Sequence, residues 1–191
     1  MRVLVTGFGP FADVADNPSA AVARRLADEP PGGVDVHAET LPVEYDAAAE
    51  RVAALIEELR PDAVLCLGVA RGRGRIDFEA LARGGCGGGL DNAGKTPERS
   101  RPMGDVRRAT VPVEALSRHL DAGGESVGVS TDAGGYVCDH VMYHALRATE
   151  SAHTLAGFIH LPDPASAIGA GWTLATLTGR VRAALEYLRD G

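Results

Sequence analysis

Ala63-Val64-Leu65-Cys66-Leu67 is an unbroken apolar run that Gly68 closes. So short a run, bounded by a glycine, is typical of a strand that is buried on both faces. Val3 to Val5 forms a second such run and leads into a glycine-containing loop. Segments with apolar residues at helical spacing lie between runs of this kind. The alternation predicts an α/β fold with a mostly parallel central sheet and helices on both faces.

The other elements are predicted from the same periodicities. Asn17 followed by Pro18 is typical of a helix cap with proline at the first helical position, and this helix is expected to run to about Ala27. Further strands are predicted at 34–41, 76–82, 126–130 and 155–161. Further helices are predicted at 45–59, 111–120, 136–149 and 173–188.

Length and composition indicate one globular domain that spans residues 1–191. Hydrophobic residues make up 45% of the chain but aromatic residues only 5%, so the core is expected to consist of Val, Leu, Ile and Ala. The formal net charge is -7 and the pI is near 5.3. An acidic balance argues against nucleic acid or an anionic membrane as the main partner, because both attract basic proteins.

The cysteine content and the N-terminus predict a cytoplasmic chain. Its three cysteines are an odd number, and a chain of this length can bury a core without disulfides. The apolar run near the N-terminus is too short for a signal peptide, and no stretch is long enough to span a membrane.

In a sheet of parallel strands, binding sites collect where the strands end at their carboxyl side. That rule points to four segments, which carry the unusual residues of the chain and are expected to form one shared site. They are residues 8–11, 68–73, 130–138 and 160–162.

The three cysteines differ in their surroundings. Cys66 lies between two leucines of a predicted strand and is expected to be a small buried residue. Cys86 lies in a run of glycines without a base near it in sequence. Cys138 opens a predicted helix, where backbone N–H groups and the helix dipole favour a thiolate. Local chemistry alone leaves Cys138 equally acceptable as a nucleophile and as a core cysteine.

A thiol nucleophile needs a base, and His160 ends a predicted strand at the expected site edge. A carboxylate would orient that imidazole. Glu79 is the candidate and Asp77 the alternative, since strand alternation places both on the same face.

Three other patterns are weak. His140 and His144 lie four residues apart on one helix, but no carboxylate completes a zinc motif, so a helix-surface pair is the better interpretation. The arginines within residues 71–75 are weak evidence of RNA binding in an acidic protein. Thr6-Gly7-Phe8-Gly9 has too few glycines for a dinucleotide site.

Short blocks over nearly the whole chain resemble the pyroglutamyl peptidase I family, also called pyrrolidone-carboxylate peptidases. Seven blocks in the same order are specific, although each alone is weak. In chain order the blocks are Val5–Phe11 with Asn17-Pro18-Ser19, Leu41-Pro42-Val43 with Tyr45, Arg60-Pro61-Asp62, Gly72-Arg73 with Ile76 and Glu79, Asp91-Asn92-Ala93-Gly94 with Pro97, Ala133-Gly134 with Tyr136-Val137-Cys138 and Met142-Tyr143, and Gly157–Pro162.

The resemblance implies a three-layer α/β/α sandwich and a thiol exopeptidase that removes N-terminal pyroglutamyl groups from peptides without a metal or cofactor. It implies that Cys138 is the nucleophile, His160 the base and then the acid, and Glu79 the orienting carboxylate. A peptide or small amide is the expected substrate, and assembly as a homo-oligomer, a dimer or tetramer, is expected. The expected substrate-binding residues are Phe8, Phe11, Asn17, Val69, Arg73 and Val137.

Four departures from the family pattern leave a second function open. Val69 stands where the family usually has Gln, Ala80 where it has Arg, Gly88-Gly89-Leu90 where it has Arg-Ile-Pro, and Asp139 where it has Asn. Recognition groups are therefore altered while the three catalytic positions are kept. The alternative is a catalytically impaired or substrate-shifted homologue that acts as an amidase or binds a small ligand. A nucleoside-phosphorylase-like enzyme is a third and weaker hypothesis, which architecture alone suggests.

Overall fold

A computed structural model of the chain describes residues 1–12, 14–84, 88–97, 105–121, 126–169 and 171–191. The strands are β1 Arg2–Phe8, β2 Asp35–Leu41, β3 Ala63–Val69, β4 Ile76–Glu79, β5 Leu81–Ala82, β6 Arg107–Arg108, β7 Val127–Ser130 and β8 Leu155–Leu161. The helices are α1 Pro18–Asp28, α2 Tyr45–Leu59, α3 Val113–Leu120, α4 Val137–Ala148 and α5 Leu174–Asp190. Within these residues, no helix combines the length and apolar character that crossing a bilayer requires.

Local signals in the sequence explain several helix ends. The Asn17 side chain accepts the backbone N–H of Ser19 at 3.1 Å, so the predicted cap of α1 is confirmed. Arg60 ends α2 with a left-handed φ of 46°, and Pro61 follows it. The predicted bounds of α2 and β8 are confirmed, while the strand predicted over 76–82 is divided into β4 and β5.

The central sheet has six strands in the order β2-β1-β3-β8-β4-β7. The first four strands of this order run parallel to one another, whereas β4 pairs with β8 antiparallel and with β7 parallel. The predicted mostly parallel sheet is therefore confirmed. A separate antiparallel pair, β5 with β6, was not predicted from the sequence.

Helices cover both faces of the sheet and make three layers. Helices α1, α3 and α5 pack on one face, and α2 and α4 pack on the other. The residues of β3 alternate between the two cores: Leu65 and Leu67 face the first layer, while Val64 and Cys66 face the second. By the same alternation, Gly68 faces α4.

Two predictions about strand ends are wrong in detail. Strand β3 does not end before Gly68 but continues through it to Val69, because its pairing with β8 extends that far. Strand β7 runs opposite to β8, so its carboxyl end does not lie at the edge where the carboxyl ends of β3 and β8 meet. Residues 131–136 connect β7 to α4.

Candidate active site

A carboxylate and an imidazole form the centre of the candidate site. Glu79 ends β4 and His160 lies near the end of β8, and the two side chains meet with 2.7 Å between Glu79 Oε1 and His160 Nδ1. Glu79 is 0% exposed and His160 4% exposed. A neutral imidazole that donates from Nδ1 keeps the Nε2 lone pair free to accept a proton.

Of the two acidic residues of β4, Glu79 contacts the imidazole. Asp77 is instead paired with two guanidinium groups, with 3.2 Å between Arg73 Nη1 and its Oδ2 and 2.8 Å between Arg75 Nε and its Oδ1. The backbone of Asp77 lies opposite that of His160 in the antiparallel pairing. The two carboxylates that the sequence left as alternatives therefore share Arg73, but only Glu79 contacts the imidazole.

Cys138 is the second residue of α4, and the residue is partly exposed. The cap residue Tyr136 makes no side-chain hydrogen bond to the first turn. The backbone N–H groups of that turn can therefore donate hydrogen bonds to an anion, and the helix dipole favours negative charge there. Gly134 and Gly135, at φ values of 87° and 65°, form the turn that leads into the helix.

Gly68 lies next to Cys138 and on the same face of the sheet as His160. A Cβ atom added to Gly68 would lie 3.0 Å from Cys138 Sγ. In the sheet, Gly68 is also the backbone partner of His160. Cys138, His160 and Glu79 thus meet at the edge where β3 and β8 end. Among the described residues, the imidazole is hydrogen-bonded to Glu79 and not to the thiol.

Burial raises the pKa of the Cys138 thiol to about 12, and the charges of Glu79 and Asp139 raise it further in the same direction. This outcome differs from the expectation that the helix terminus lowers the thiol pKa, because burial and two nearby carboxylates outweigh the dipole. The thiol is therefore neutral at pH 7, and it needs a base at the moment of attack.

The Glu79 carboxyl is ionised. Burial alone would raise its pKa, but the hydrogen bond and charge of His160, together with a hydrogen bond from Arg73, hold the pKa below its usual value. An ionised Glu79 favours one orientation of the imidazole and stabilises it when it becomes charged.

A narrow cleft opens beside the thiol. The centre of a water-sized sphere can occupy about 40 Å³ of it. Five of the six predicted substrate-binding residues line it, and Arg73 does not, since its guanidinium is turned toward Glu79 and Asp77. The lining residues are Phe8, Phe11, Asn17, Val43, Val69, Tyr136, Val137 and Cys138.

A sequence profile described as pyroglutamyl peptidase matches residues 1–174 of the chain. The chain belongs to the pyroglutamyl peptidase family. It is a cysteine peptidase of that type, and its α/β fold is the fold of the solved family members.

Relatives of known sequence and structure match almost end to end. The pyrrolidone-carboxylate peptidase of Gloeobacter violaceus is 39% identical over 202 residues, which cover 100% of this chain and 98% of the relative. A solved pyrrolidone carboxyl peptidase of Pyrococcus furiosus is 29% identical with a TM-score of 0.89, covering 100% of this chain and 99% of the other. The solved pyroglutamyl peptidase I of Bacillus amyloliquefaciens is 26% identical with a TM-score of 0.85, covering 95% and 93%.

Asn17 is the cleft-lining residue with an amide side chain, and that amide is hydrogen-bonded to nearby residues. Its Oδ1 accepts the Ser19 hydroxyl at 2.7 Å as well as the Ser19 N–H, and its Nδ2 donates to the carbonyl of Gly9 at 3.0 Å. Phe8 N–H in turn donates to the Ser19 hydroxyl at 2.9 Å. Asn17 therefore fixes the loop that carries Phe8 and Phe11.

Tyr136 and Val43 line the cleft but were not among the substrate-binding residues predicted from the sequence. Tyr136 follows two glycines at the helix start, and its hydroxyl donates to the carbonyl of Leu90 at 3.1 Å. Gly88 packs so closely on Gly135 and Tyr136 that an added Cβ would lie 2.4 Å from the Gly135 carbonyl oxygen. The glycine-containing segment that replaces Arg-Ile-Pro thus lies directly against the start of α4.

Asp91 holds this segment in place. Its carboxylate accepts the backbone N–H groups of Tyr45, Ala93 and Lys95 at 2.9–3.0 Å. Asn92 donates from its side chain to the carbonyl of Pro10, within the Phe8–Phe11 loop, at 3.0 Å. A periodicity argument could not find this role, although the Asp91–Asn92 pair belongs to a matching block.

Asp139 is buried, and its Oδ1 accepts the backbone N–H of Arg83 at 2.7 Å. His140 is buried too, with 2.9 Å between its Nδ1 and the carbonyl oxygen of Gly84, so the interpretation of His140 and His144 as a surface pair is wrong for His140. Its partner His144 is half-buried. The described part of the chain contains no cluster of three or more side chains able to hold a metal.

The other cysteines lie away from this chemistry. Cys66 is 0% exposed within β3, and burial raises its pKa to about 11. The prediction made for Cys86 concerns a residue outside the described ranges.

Proposed function

We propose that this chain removes an N-terminal pyroglutamyl group from peptides by covalent catalysis. Cys138 is the nucleophile, His160 the proton carrier and Glu79 the group that orients it. The observation that carries the proposal is the 2.7 Å contact between Glu79 Oε1 and His160 Nδ1, beside Gly68, whose added Cβ would lie 3.0 Å from Cys138 Sγ.

In the first half-reaction, His160 Nε2 takes the thiol proton as Cys138 Sγ attacks the pyroglutamyl carbonyl carbon. The carbonyl oxygen becomes an oxyanion, and the uncapped N–H groups at the start of α4 stabilise it. The tetrahedral intermediate then breaks its C–N bond. The leaving amine takes the proton from His160, and a thioester remains on Cys138.

In the second half-reaction, His160 removes a proton from water as the water oxygen attacks the thioester carbon. The C–S bond breaks, the thiolate takes the proton back, and free pyroglutamate leaves. The ionised Glu79 stabilises the imidazolium that forms in each half-reaction. A thiol with a pKa of about 12 makes this base essential, because little thiolate exists without it at pH 7.

The cleft suits a small flat ring. Phe8, Phe11 and Val137 offer apolar surfaces next to the nucleophile, against which the methylene groups of a pyrrolidone ring can pack. Its small volume favours an exopeptidase that accepts one terminal ring over an enzyme that binds an extended chain on both sides.

A substrate-shifted amidase is the second candidate, and the polarity of the cleft favours it. Val69 contributes an apolar side chain, and the Asn17 amide is already hydrogen-bonded to Ser19 and Gly9. A pocket that offers few side-chain partners to the lactam N–H and C=O discriminates weakly against a ring that lacks them.

Kinetics with two chromogenic amides distinguish these functions. One amide carries a pyroglutamyl group, and the other carries a cyclopentanecarbonyl group on the same amine. We expect wild type to cleave the pyroglutamyl amide with at least about tenfold higher kcat/KM, which corresponds to about 1.4 kcal/mol. A preference for the cyclopentanecarbonyl amide would favour the second candidate.

Cysteine variants test the nucleophile. Cys138→Ser and treatment with iodoacetamide should both abolish cleavage, while Cys66→Ala, the matched change at the buried cysteine of β3, should leave kcat largely intact. Folded wild type that cleaves neither amide, and whose Cys138 is not protected from alkylation by 2-pyrrolidone, would refute the proposed substrate. Loss of activity in a folded Cys66→Ala variant would contradict the assignment of Cys138.

A further inference from the structure

Arg73 is a charged residue at the site that the reaction steps above do not use. It lies in the loop between β3 and β4, and its side chain is 27% exposed. Its Nη1 donates to Glu79 Oε1 at 2.6 Å and to Asp77 Oδ2 at 3.2 Å. Its Nη2 donates to the backbone carbonyl of Asp132 at 2.6 Å.

The contact with Glu79 involves the oxygen that orients the base. Glu79 Oε1 receives Arg73 Nη1 at 2.6 Å and His160 Nδ1 at 2.7 Å. The other carboxylate oxygen, Oε2, is buried and has no hydrogen-bond partner among the described residues. Arg73 therefore influences how the carboxylate is rotated toward His160 and how much of its negative charge the imidazole experiences.

The contact with Asp132 joins Arg73 to the connection that leads to Cys138. Asp132 lies in the 131–136 connection, between β7 and the helix that begins with Val137 and Cys138. One planar guanidinium thus joins β4, which carries the orienting carboxylate, to the segment that sets the start of α4. A planar fork directs two separate nitrogens at the two partners in a fixed geometry, whereas an ammonium group has one nitrogen for both.

We propose that Arg73 is a positioning residue that fixes Glu79 and the 131–136 connection in one arrangement and keeps His160 available as a neutral base. This inference rests on the proposed roles of Cys138, His160 and Glu79, and it extends them to a residue that contacts neither the cleft nor the thiol.

The charge balance around His160 gives the direction of the effect. Arg73 and Arg75 offset the two carboxylates of β4. Without Arg73, the negative charge of Glu79 acts on the imidazole without compensation and favours its protonated form. Glu79 contacts His160, and Asp77, Arg73 and Arg75 form the ion pairs beside that contact. Cys138 and Asp139 are the titratable groups at the adjoining start of α4, and the charges of Glu79 and Asp139 both act on the thiol.

The test compares Arg73→Gln, Arg73→Lys and a matched control, Arg71→Gln, which removes an exposed arginine from the same loop. The first readout is the pH dependence of kcat/KM, whose acid limb reports the base of the free enzyme. Arg73→Gln should move that limb upward by about one pH unit or more. Arg73→Lys and Arg71→Gln should leave it in place.

The lysine variant separates position from charge. We expect Arg73→Lys to lower kcat by about tenfold or more at pH 8, because its ammonium group cannot reach both Glu79 and the Asp132 carbonyl. An unmoved acid limb in folded Arg73→Gln would overturn the inference, as would wild-type kcat in Arg73→Lys. If Arg73→Gln does not fold, the Arg73→Lys result decides.

A second readout needs no turnover. The His160 ring titration can be followed by NMR, with the signal assigned from its loss in His160→Gln. Its midpoint should rise in Arg73→Gln and stay constant in Arg71→Gln. If wild type cleaves neither amide but this shift occurs, the inference holds and the proposed function fails. If the amides are cleaved and the midpoint does not move, the inference fails alone.

Discussion

Gly68→Ala is the substitution whose effect the structure defines most closely. Gly68 lies in β3 with its face toward α4, and an added Cβ would lie 2.7 Å from Phe158 Cζ and 3.0 Å from Cys138 Sγ. Ordinary contacts begin at 3.4 Å, so the first distance is short by about 0.7 Å. The new methyl group must therefore displace the ring, the sulfur atom or the strand itself.

None of these groups can move without cost. Phe158 is 0% exposed, and its ring packs against the rings of Phe8 and His160, with centroid distances of 6.5 and 4.8 Å. Overpacking of this kind costs about 1–3 kcal/mol of unfolding free energy. At about 2–4 °C of Tm for each kcal/mol in a domain of this size, Tm should fall by several degrees.

The effect on catalysis should exceed the effect on stability. A displacement approaching 1 Å between nucleophile and base can lower the rate by about 100-fold. The assay measures kcat/KM on the pyroglutamyl amide together with the thermal unfolding curve. Gly72→Ala is the matched control, because its Cβ would meet no atom within 4 Å. Wild-type kcat/KM and Tm in Gly68→Ala would refute the inferred arrangement of Gly68, Cys138 and the Phe158 ring.

Two further predictions concern charge. Asp139→Asn should keep an acceptor for the Arg83 N–H but remove a charge that raises the Cys138 pKa, so iodoacetamide should alkylate Cys138 several-fold faster at pH 8; an equal rate would contradict this electrostatic effect. Burial, with the charges of His140 and Arg147, lowers the pKa of His144 to about 4 from 6.5, so its contribution to stability is full above pH 6.5 and is lost as pH falls toward 4. Urea unfolding of wild type and His144→Gln at pH 7 and pH 4.5 measures this effect. The free energy of unfolding should fall between the two pH values by an amount on the order of 3 kcal/mol or less, and the fall should be smaller in His144→Gln. Equal falls in both proteins would contradict the prediction.

Much of the fold follows from patterns that act within a few residues. The bounds of α2 follow from its apolar spacing and the Arg60-Pro61 stop, and the start of α1 follows from the Asn17 side chain. Strand direction depends on distant pairing and was not predicted for β4 and β7. A signal was present, since residues 70–75, which connect β3 to β4, are too few to cross back to the start of a parallel strand; such a crossover needs a dozen or more.

In the candidate site, too, features set by nearby residues were predicted and features set by distant contacts were not. A strand end indicated His160, a helix start indicated Cys138, and Glu79 was one of two carboxylates left open in a predicted strand; the structure places Glu79 against His160 and Cys138 next to Gly68, the backbone partner of His160. The choice between Glu79 and Asp77 depended on which side chain reaches the imidazole, and alternation along one strand does not report that. Burial of the thiol depends on packing around it, so the direction of its pKa shift could not be derived from its place in a helix.

The position of β8 has a consequence for how the enzyme is made. It is the last strand of the chain, yet it lies between β3 and β4, so neither half of the sheet is joined to the other until residues 155–161 are in place. The contact between Glu79 and His160 spans 81 residues. Long-range pairing of this kind is slow to form. A growing chain therefore contains Glu79 and Cys138 before it contains His160, and the contact between Glu79 and His160 cannot form until this last strand is made.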